Sequence, residues 1–180
     1  MGGCIIDSDR LARAEMDDPA VVAVMRQWWS DSICRPDGSV DRERVAGIVF
    51  RDAAQRARLE GLIHPRVAAR RREQMAAARS DPAVRLIVLD SPLLFEAGLA
   101  DACDAIVFVD ADRDVRRARV QATRGWSEQE FDRREELQDS LDSKRRRADY
   151  IVDGNSGLDE LRRQVRRLIS RILHEEHGTP

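Results

Sequence analysis

The chain reads as an α/β protein built on a parallel sheet, and three observations lead there. Short apolar runs alternate with longer segments of helical periodicity, the pattern of strands covered by helices. The run Leu86-Ile87-Val88-Leu89 lacks the alternation of a half-exposed strand and predicts one buried on both faces. Carboxylates follow the strands directly, with Asp7 and Asp9 after the first and Asp90 and Glu96 after the second. In an open parallel sheet that edge is where ligands bind.

Taken in order, Cys4–Asp7 is a first short strand, and a helix starts near Ser8 carrying Leu11, Ala12 and Arg13. Between Pro19 and Ser30, Val21, Val22, Val24, Met25, Trp28 and Trp29 recur at helical intervals, so the paired tryptophans read as core or pocket wall. Arg35-Pro36-Asp37-Gly38 is a turn, and Val45, Ile48 and Val49 share one face of the helix from Val40 onward. A third helix is expected from Asp52 to Ile63. A fourth is expected from Pro65, because proline suits a first helical position and breaks what precedes it. Its arginines, Arg66, Arg70, Arg71, Arg72 and Arg79, with Glu73 among them, read as a solvated face.

After the strand at Leu86, Asp90 and Ser91 serve the spacing equally as caps of a helix beginning at Pro92 or as part of a site. Asp104–Asp110 is the next strand and Ala111–Arg124 a helix. Gly125-Trp126 ends it, and Ser127 with Glu130 forms a capping box for a helix to Leu137. Arg145–Arg147 alone is a charge run. Tyr150–Asp153 is the last strand, and Leu158–Leu173 is an amphipathic helix with Leu161, Val165, Leu168, Ile169 and Ile172 inward. His174 and His177 lack the H-E-x-x-H spacing of zinc peptidases and read as a frayed end.

Composition narrows the function. At 180 residues the chain suffices for one domain with a real core. Acidic residues number 33 and basic ones 31, for a net charge of −2, so no overall basic field would hold nucleic acid. There is no run of 18 apolar residues and no signal-peptide order at the start, so a cytoplasmic protein is expected, away from membranes. Cys4, Cys34 and Cys103 never fall in C-x-x-C spacing, which argues against a disulfide framework or a zinc site and leaves buried apolar thiols. Lys144 is the only lysine, and it follows Ser143 with no glycine-rich lead. These residues therefore hold no G-x-x-x-x-G-K-[ST] phosphate loop.

Four stretches carry a resemblance. DSPLLFEAG at 90–98 resembles the D-x-P-L-L-F-E signature of the dephospho-CoA kinases, P-loop kinases that phosphorylate the 3′-hydroxyl of dephospho-CoA with ATP. IIDSDRLAR at 5–13, IHP at 63–65 and KRRRADYIVDGNSG at 144–157 follow that family's order and span nearly the whole chain. The resemblance implies a P-loop NTPase-like parallel sheet of order 2-3-1-4-5 with helices on both faces. About 19–80 would be a helical acceptor-binding insertion and about 125–148 a lid. It implies ATP and Mg2+, and dephospho-CoA as the partner.

Residue by residue, the resemblance makes Asp9 the catalytic base, against the simpler reading of Asp9 as a helix cap. Arg134, Lys144 and Arg145 become lid cations that meet charge developing on the moving phosphoryl group, with Gln138 beside them. Arg13, His64, Pro92, Leu93, Leu94 and Glu96 would shape the acceptor side, and Asp90 would stand near magnesium. The family places an adenine-contacting asparagine where Gly154 stands here, with Asn155 one residue later.

The family also begins with a central strand and a phosphate loop that these residues do not contain. That predicts a reading frame extending upstream of Met1, with Gly2-Gly3 as a turn into the present first strand, and little turnover from the 180 residues alone. The strands at Leu86–Asp90 and Asp104–Asp110 would then carry unpaired edges prone to aggregation. Two other classes stand beside the kinase: a non-catalytic dephospho-CoA- or CoA-binding protein, and an arginine-rich nucleic-acid module. The last is disfavoured by the acidic balance and by basic runs without aromatic residues.

Overall fold

The computed structural model describes residues 2–175, so His177 lies outside the described residues. The chain forms two compact units, Met1–Ser91 and Pro92–Pro180.

In the first unit β1 (Gly3–Asp7) and β2 (Leu86–Asp90) pair in parallel, with Gly3 opposite Leu86 and Asp7 opposite Asp90. Parallel strands need a crossover, and here it is mostly helical, broken by a turn closed by a Cys34–Val40 bridge. It comprises α1 (Ser8–Met16), α2 (Pro19–Trp29), a 3₁₀ turn at Ser30–Ile33, α3 (Arg42–Arg51) and α4 (Ala53–Ser80). Each of the four α-helices starts from an aspartate whose carboxylate accepts orphan backbone N–H groups. Asp7 accepts from Arg10, Asp18 from Ala20 and Val21, Asp41 from Glu43 and Arg44, and Asp52 from Ala54 and Gln55. Ile6, Leu11, Val21, Met25, Ile33, Val40, Val45, Ile63 and Val67 form the core they enclose. Gly2 needs its glycine: its φ is +62°, and a Cβ there would stand 2.4 Å from the Ala83 carbonyl oxygen.

Two expectations for this unit are corrected. Pro65 does not divide two helices, because α4 runs through it. Ile63 and Val67, on either side, are both buried in the same core, and that packing outweighs the one hydrogen bond proline removes. Nor is the basic face of α4 simply solvated. Arg66 Nε lies 2.6 Å and Arg70 Nε 3.1 Å from the carboxylate of Glu15 on α1, which is only 4% exposed, and Arg66 also reaches Asp18 at 3.1 Å. The positive charge is needed because an unpaired carboxylate at that depth would be costly.

In the second unit β3 (Val107–Asp110) and β4 (Tyr150–Asp153) pair in parallel, Val107 opposite Tyr150 and Asp110 opposite Asp153. Their crossover holds α5 (Arg113–Arg124), α6 (Glu128–Glu136) and α7 (Leu141–Arg147), and α8 (Leu158–Glu175) packs on β4. Gly125 closes α5 at φ +68°, a left-handed stop that glycine adopts without strain. Ser127 Oγ accepts the Glu130 N–H at 3.2 Å, one half of the expected capping box, while the Glu130 carboxylate pairs with Arg134.

Four more differences concern local structure. No helix begins at Pro92: residues 92–98 form successive turns, so the expected helix start there is absent. The third strand starts at Val107, three residues later than Asp104. The charge run at Arg145–Arg147 is helical, as the end of α7, capped by Ser140 Oγ on the Ser143 N–H. The cysteines are free but only half-buried.

The strands are not buried on both faces. Among the described residues each sheet has two strands; in the first, Cys4, Ile6, Ile87 and Leu89 face the helical core and Ile5 and Val88 face away from it, whereas in the second the exposed Val109 shares a face with the buried Val152. Ile6 and Val152 are buried, whereas Ile5 is 63% and Ile151 55% exposed, and Val88, Val107 and Val109 share that exposure. On α8, Val165 is likewise exposed while Leu161, Leu168, Ile169 and Ile172 are half-buried.

These contrasts predict stabilities measurable by chemical denaturation. Arg66→Met should cost about 2 kcal/mol, since Glu15 stays buried with one cation fewer. Glu15→Gln should cost only about 1 kcal/mol, since both guanidinium groups can turn to water. A reversed order would show that the pair does not hold α1 to α4. In the second unit, Val152→Ala should destabilise by about 2 kcal/mol through its cavity, while Ile151→Thr should change stability by less than about 0.5 kcal/mol.

Candidate active site

The first unit gathers carboxylates at the carboxyl ends of its strands. Asp7 and Asp90 are the last residues of β1 and β2 and stand opposite each other in the parallel register. The cap reading for Asp9 is answered by its neighbour: Asp7 is the N-cap of α1, its carboxylate 2.8 Å from the Arg10 N–H, and Asp9 lies inside the first turn. That leaves Asp9 half-buried on the first turn, beside the Asp7–Asp90 edge. Between them, the Ser8 hydroxyl is buried without a hydrogen-bond partner. Arg13 lies in the last turn of α1, exposed, and His64 is exposed on α4 just before Pro65.

In the second unit one side chain draws several of the expected residues together. Lys144, on α7 and 7% exposed, points its ammonium at the Pro92 carbonyl (2.8 Å), Gln138 Oε1 (2.9 Å) and Glu96 Oε1 (3.1 Å). Glu96 Oε1 also accepts the Asp139 N–H at 2.7 Å. Burial alone would push the Glu96 carboxyl up. The Asp139 N–H, its own N–H and the Lys144 ammonium outweigh that and hold it below the usual carboxylate range. Leu93 and Leu94 belong to the same turn, whose Leu93 and Leu94 carbonyls accept from Ala97 and Leu99 at 2.9 Å each.

Arg134 and Gln138 do not share a helical face, because α6 ends at Glu136. The Arg134 guanidinium instead lies between the Glu130 carboxylate, at 2.9 Å, and the Trp126 ring, 4.1 Å from its centroid. Such a guanidinium is oriented on both sides. Arg147 stacks on Phe95 at 3.8 Å. Neither ring contact is visible in sequence beyond the presence of aromatic residues near arginines.

A second aspartate pair ends β3 and β4, Asp110 opposite Asp153, and Arg145 hydrogen-bonds Asp110. The register of parallel strands that both end in aspartate is the signal that would have found this pair. Gly154 follows where space is tight: a Cβ would meet the Asp110 carbonyl oxygen at 3.0 Å and the Val109 side chain at 3.1 Å. Asn155 turns its Oδ1 to the Asp112 N–H at 2.7 Å.

Among the described residues no group of three His, Cys, Asp or Glu gathers to hold a metal by itself. Mg2+, however, needs only one or two carboxylates where substrate phosphates supply the other oxygens, and the Asp7–Asp90 pair fits that donor set. No helix among the described residues is long and apolar enough to cross a membrane.

Comparison with known proteins joins these observations. The family model for dephospho-CoA kinase matches residues 1–160. The dephospho-CoA kinase of Streptomyces avermitilis is 36% identical over 178 residues, 98% of this chain and 85% of that one. That of Anaeromyxobacter dehalogenans is 37% identical over 175 residues, 95% of this chain and 81% of the other. In three dimensions a Thermus thermophilus protein superposes with a TM-score of 0.74 at 28% identity, over 94% of this chain and 85% of its own. A dephospho-CoA kinase from Campylobacter jejuni shares the fold, with a TM-score of 0.69 at 20% identity, over 97% of this chain and 87% of its own. With its aspartate-terminated parallel strands and its four motifs in order, the chain belongs to the dephospho-CoA kinase family.

Proposed function

We propose that this protein transfers the γ-phosphoryl group of ATP to the 3′-hydroxyl of dephospho-CoA, giving coenzyme A, in the cytoplasm and without a nucleic-acid partner. The observation that carries the reading is the carboxylate edge of the first unit, where Asp7 takes the capping role and leaves Asp9 for chemistry. Asp9 acts as general base, accepting the hydroxyl proton as the oxygen attacks, which requires it within about 3 Å of that oxygen. Asp90, beside Asp7, would hold Mg2+, which would supply neutralisation of charge on the nucleotide phosphates.

Arg134 and Arg145 are the cations that meet charge on the transferring group, and Gln138 and Asn155 stand with them on the nucleotide side. The Trp126 and Glu130 contacts hold the Arg134 guanidinium flat, which suits stabilisation without reorganisation. Arg13, His64 and the Pro92–Glu96 segment form the acceptor side, about 19–80 is the acceptor-binding insertion, and about 125–148 is the lid. The sheet order 2-3-1-4-5 belongs to this proposal; it is supported by β1 pairing with β2 and β3 with β4, both in parallel.

A second reading, binding of dephospho-CoA without turnover, is favoured by one fact. The only lysine in these 180 residues is the buried Lys144, and no glycine-rich phosphate loop accompanies it. Calorimetry with dephospho-CoA and an ATP-dependent turnover assay separate the two: binding with turnover supports the kinase, and binding alone supports the second reading. In enzyme that turns over, Asp9→Asn should lower kcat about 100-fold with the fold intact, and wild-type-like turnover would sink the base assignment. Arg134→Ala should depress kcat more than dephospho-CoA affinity, because it acts on charge that develops late. Equal losses would move Arg134 to the acceptor side.

A further inference from the structure

We infer that Lys144 is a positioning residue rather than a phosphate ligand: its buried ammonium fastens the Pro92–Glu96 segment to Gln138 and α7. The role of that segment in acceptor binding rests on the kinase reading; the fastening itself does not.

Three facts carry the inference. An ammonium has three N–H donors, and the three acceptors within 3.1 Å of Nζ, the Pro92 carbonyl, Gln138 Oε1 and Glu96 Oε1, engage all of them. Moving Lys144 toward a phosphate would take a donor from the Pro92 carbonyl and the Gln138 amide oxygen and the counter-charge from the Glu96 carboxylate, each at a desolvation cost. Second, the Glu96 carboxylate faces the ammonium directly, so the pair presents no net charge to a ligand. Third, Lys144 is the sole lysine among 31 basic residues. A guanidinium is a planar fork suited to paired oxygens, whereas three acceptors converging on one point suit a tetrahedral ammonium. In a chain that uses arginine everywhere else, the one lysine stands where arginine geometry does not fit.

The fastened segment is otherwise held by its own short turns, by the Glu96 bond to the Asp139 N–H and by the Arg147 guanidinium on the Phe95 ring, none of which fixes Pro92. Residues 92–99 have no regular secondary structure to keep their shape. A point contact from a buried lysine therefore sets their position, and through Gln138 and Asp139 it sets the segment that follows α6.

The uniqueness of Lys144 makes the test direct, because 15N-labelled protein has one lysine Nζ signal and it needs no assignment. We expect a resolved NH3+ cross-peak at pH 6 and low temperature, and its loss to rapid water exchange would overturn the inference. Lys144→Met should speed amide exchange at Ala97, Gly98, Leu99 and Asp139 by 10-fold or more, with the β1–β2 amides unchanged. Lys144→Arg should fail to rescue it. Exchange within twofold of wild type in Lys144→Met, or full rescue by arginine, would overturn the inference. Should Lys144→Met not fold, the Nζ signal of the wild type still decides.

Calorimetry then separates positioning from direct contact. Lys144→Met should weaken dephospho-CoA binding at least 5-fold and ATP binding by a smaller factor, through the released Gln138. A loss confined to ATP would make Lys144 a phosphate ligand after all. Wild-type protein that does not bind dephospho-CoA would sink the kinase reading and leave the exchange result standing.

Discussion

Two strands that run the same way cannot be joined by a tight turn; the chain must travel back to the starting edge before it pairs again. In the first unit that return takes four α-helices and in the second three. The consequence is that both strands of a pair finish on the same edge, and the residues that follow them gather there. Here both pairs finish on aspartates, Asp7 opposite Asp90 and Asp110 opposite Asp153. Like charges so placed repel, and the surroundings offset it: Asp7 faces the N-terminus of α1, Arg145 pairs with Asp110, and Asp153 accepts the Asn155 N–H at 2.8 Å.

Beyond those edges, each unit is organised by one buried charge. Glu15 is an acceptor that receives donors from Arg66 and Arg70, and Lys144 is a donor that meets three acceptors. Apolar burial supplies most of the driving force for packing but is non-directional. A carboxylate or an ammonium at such depth tolerates only the arrangement that satisfies it. That is why Glu15 sets how α1 meets α4, and why Lys144 sets the shape of a segment with no helix or strand of its own.

The same physics explains where a reading from sequence goes astray. Pro65 carries a local signal for a break, and Ile63 and Val67 override it by packing on either side into one core. Pro92 carries a local signal for a helix start, yet the segment turns, held by Lys144 and Glu96. The apolar run Leu86–Leu89 announces a strand but says nothing about which face is covered; Val88 is exposed because the helices gather on the other side. Gly154, by contrast, looks like a departure from the family pattern and suits the close approach of the Asp110 carbonyl beside it.

The sequence by itself determined the α/β class, the order of the four strands and the family. These rest on residue types at short spacing: apolar runs, aspartates ahead of helices, and motifs such as D-S-P-L-L-F-E read in order. The candidate carboxylates Asp9 and Asp90 were legible in the same way. Only the tertiary structure decided that Asp7 rather than Asp9 caps α1, that Arg66 and Arg70 serve Glu15, that Trp126 holds Arg134, and that Lys144 faces Pro92, Glu96 and Gln138. Most of these partners are far apart in the chain. Their pairing follows from which surfaces the packing brings together, and local spacing holds no record of that.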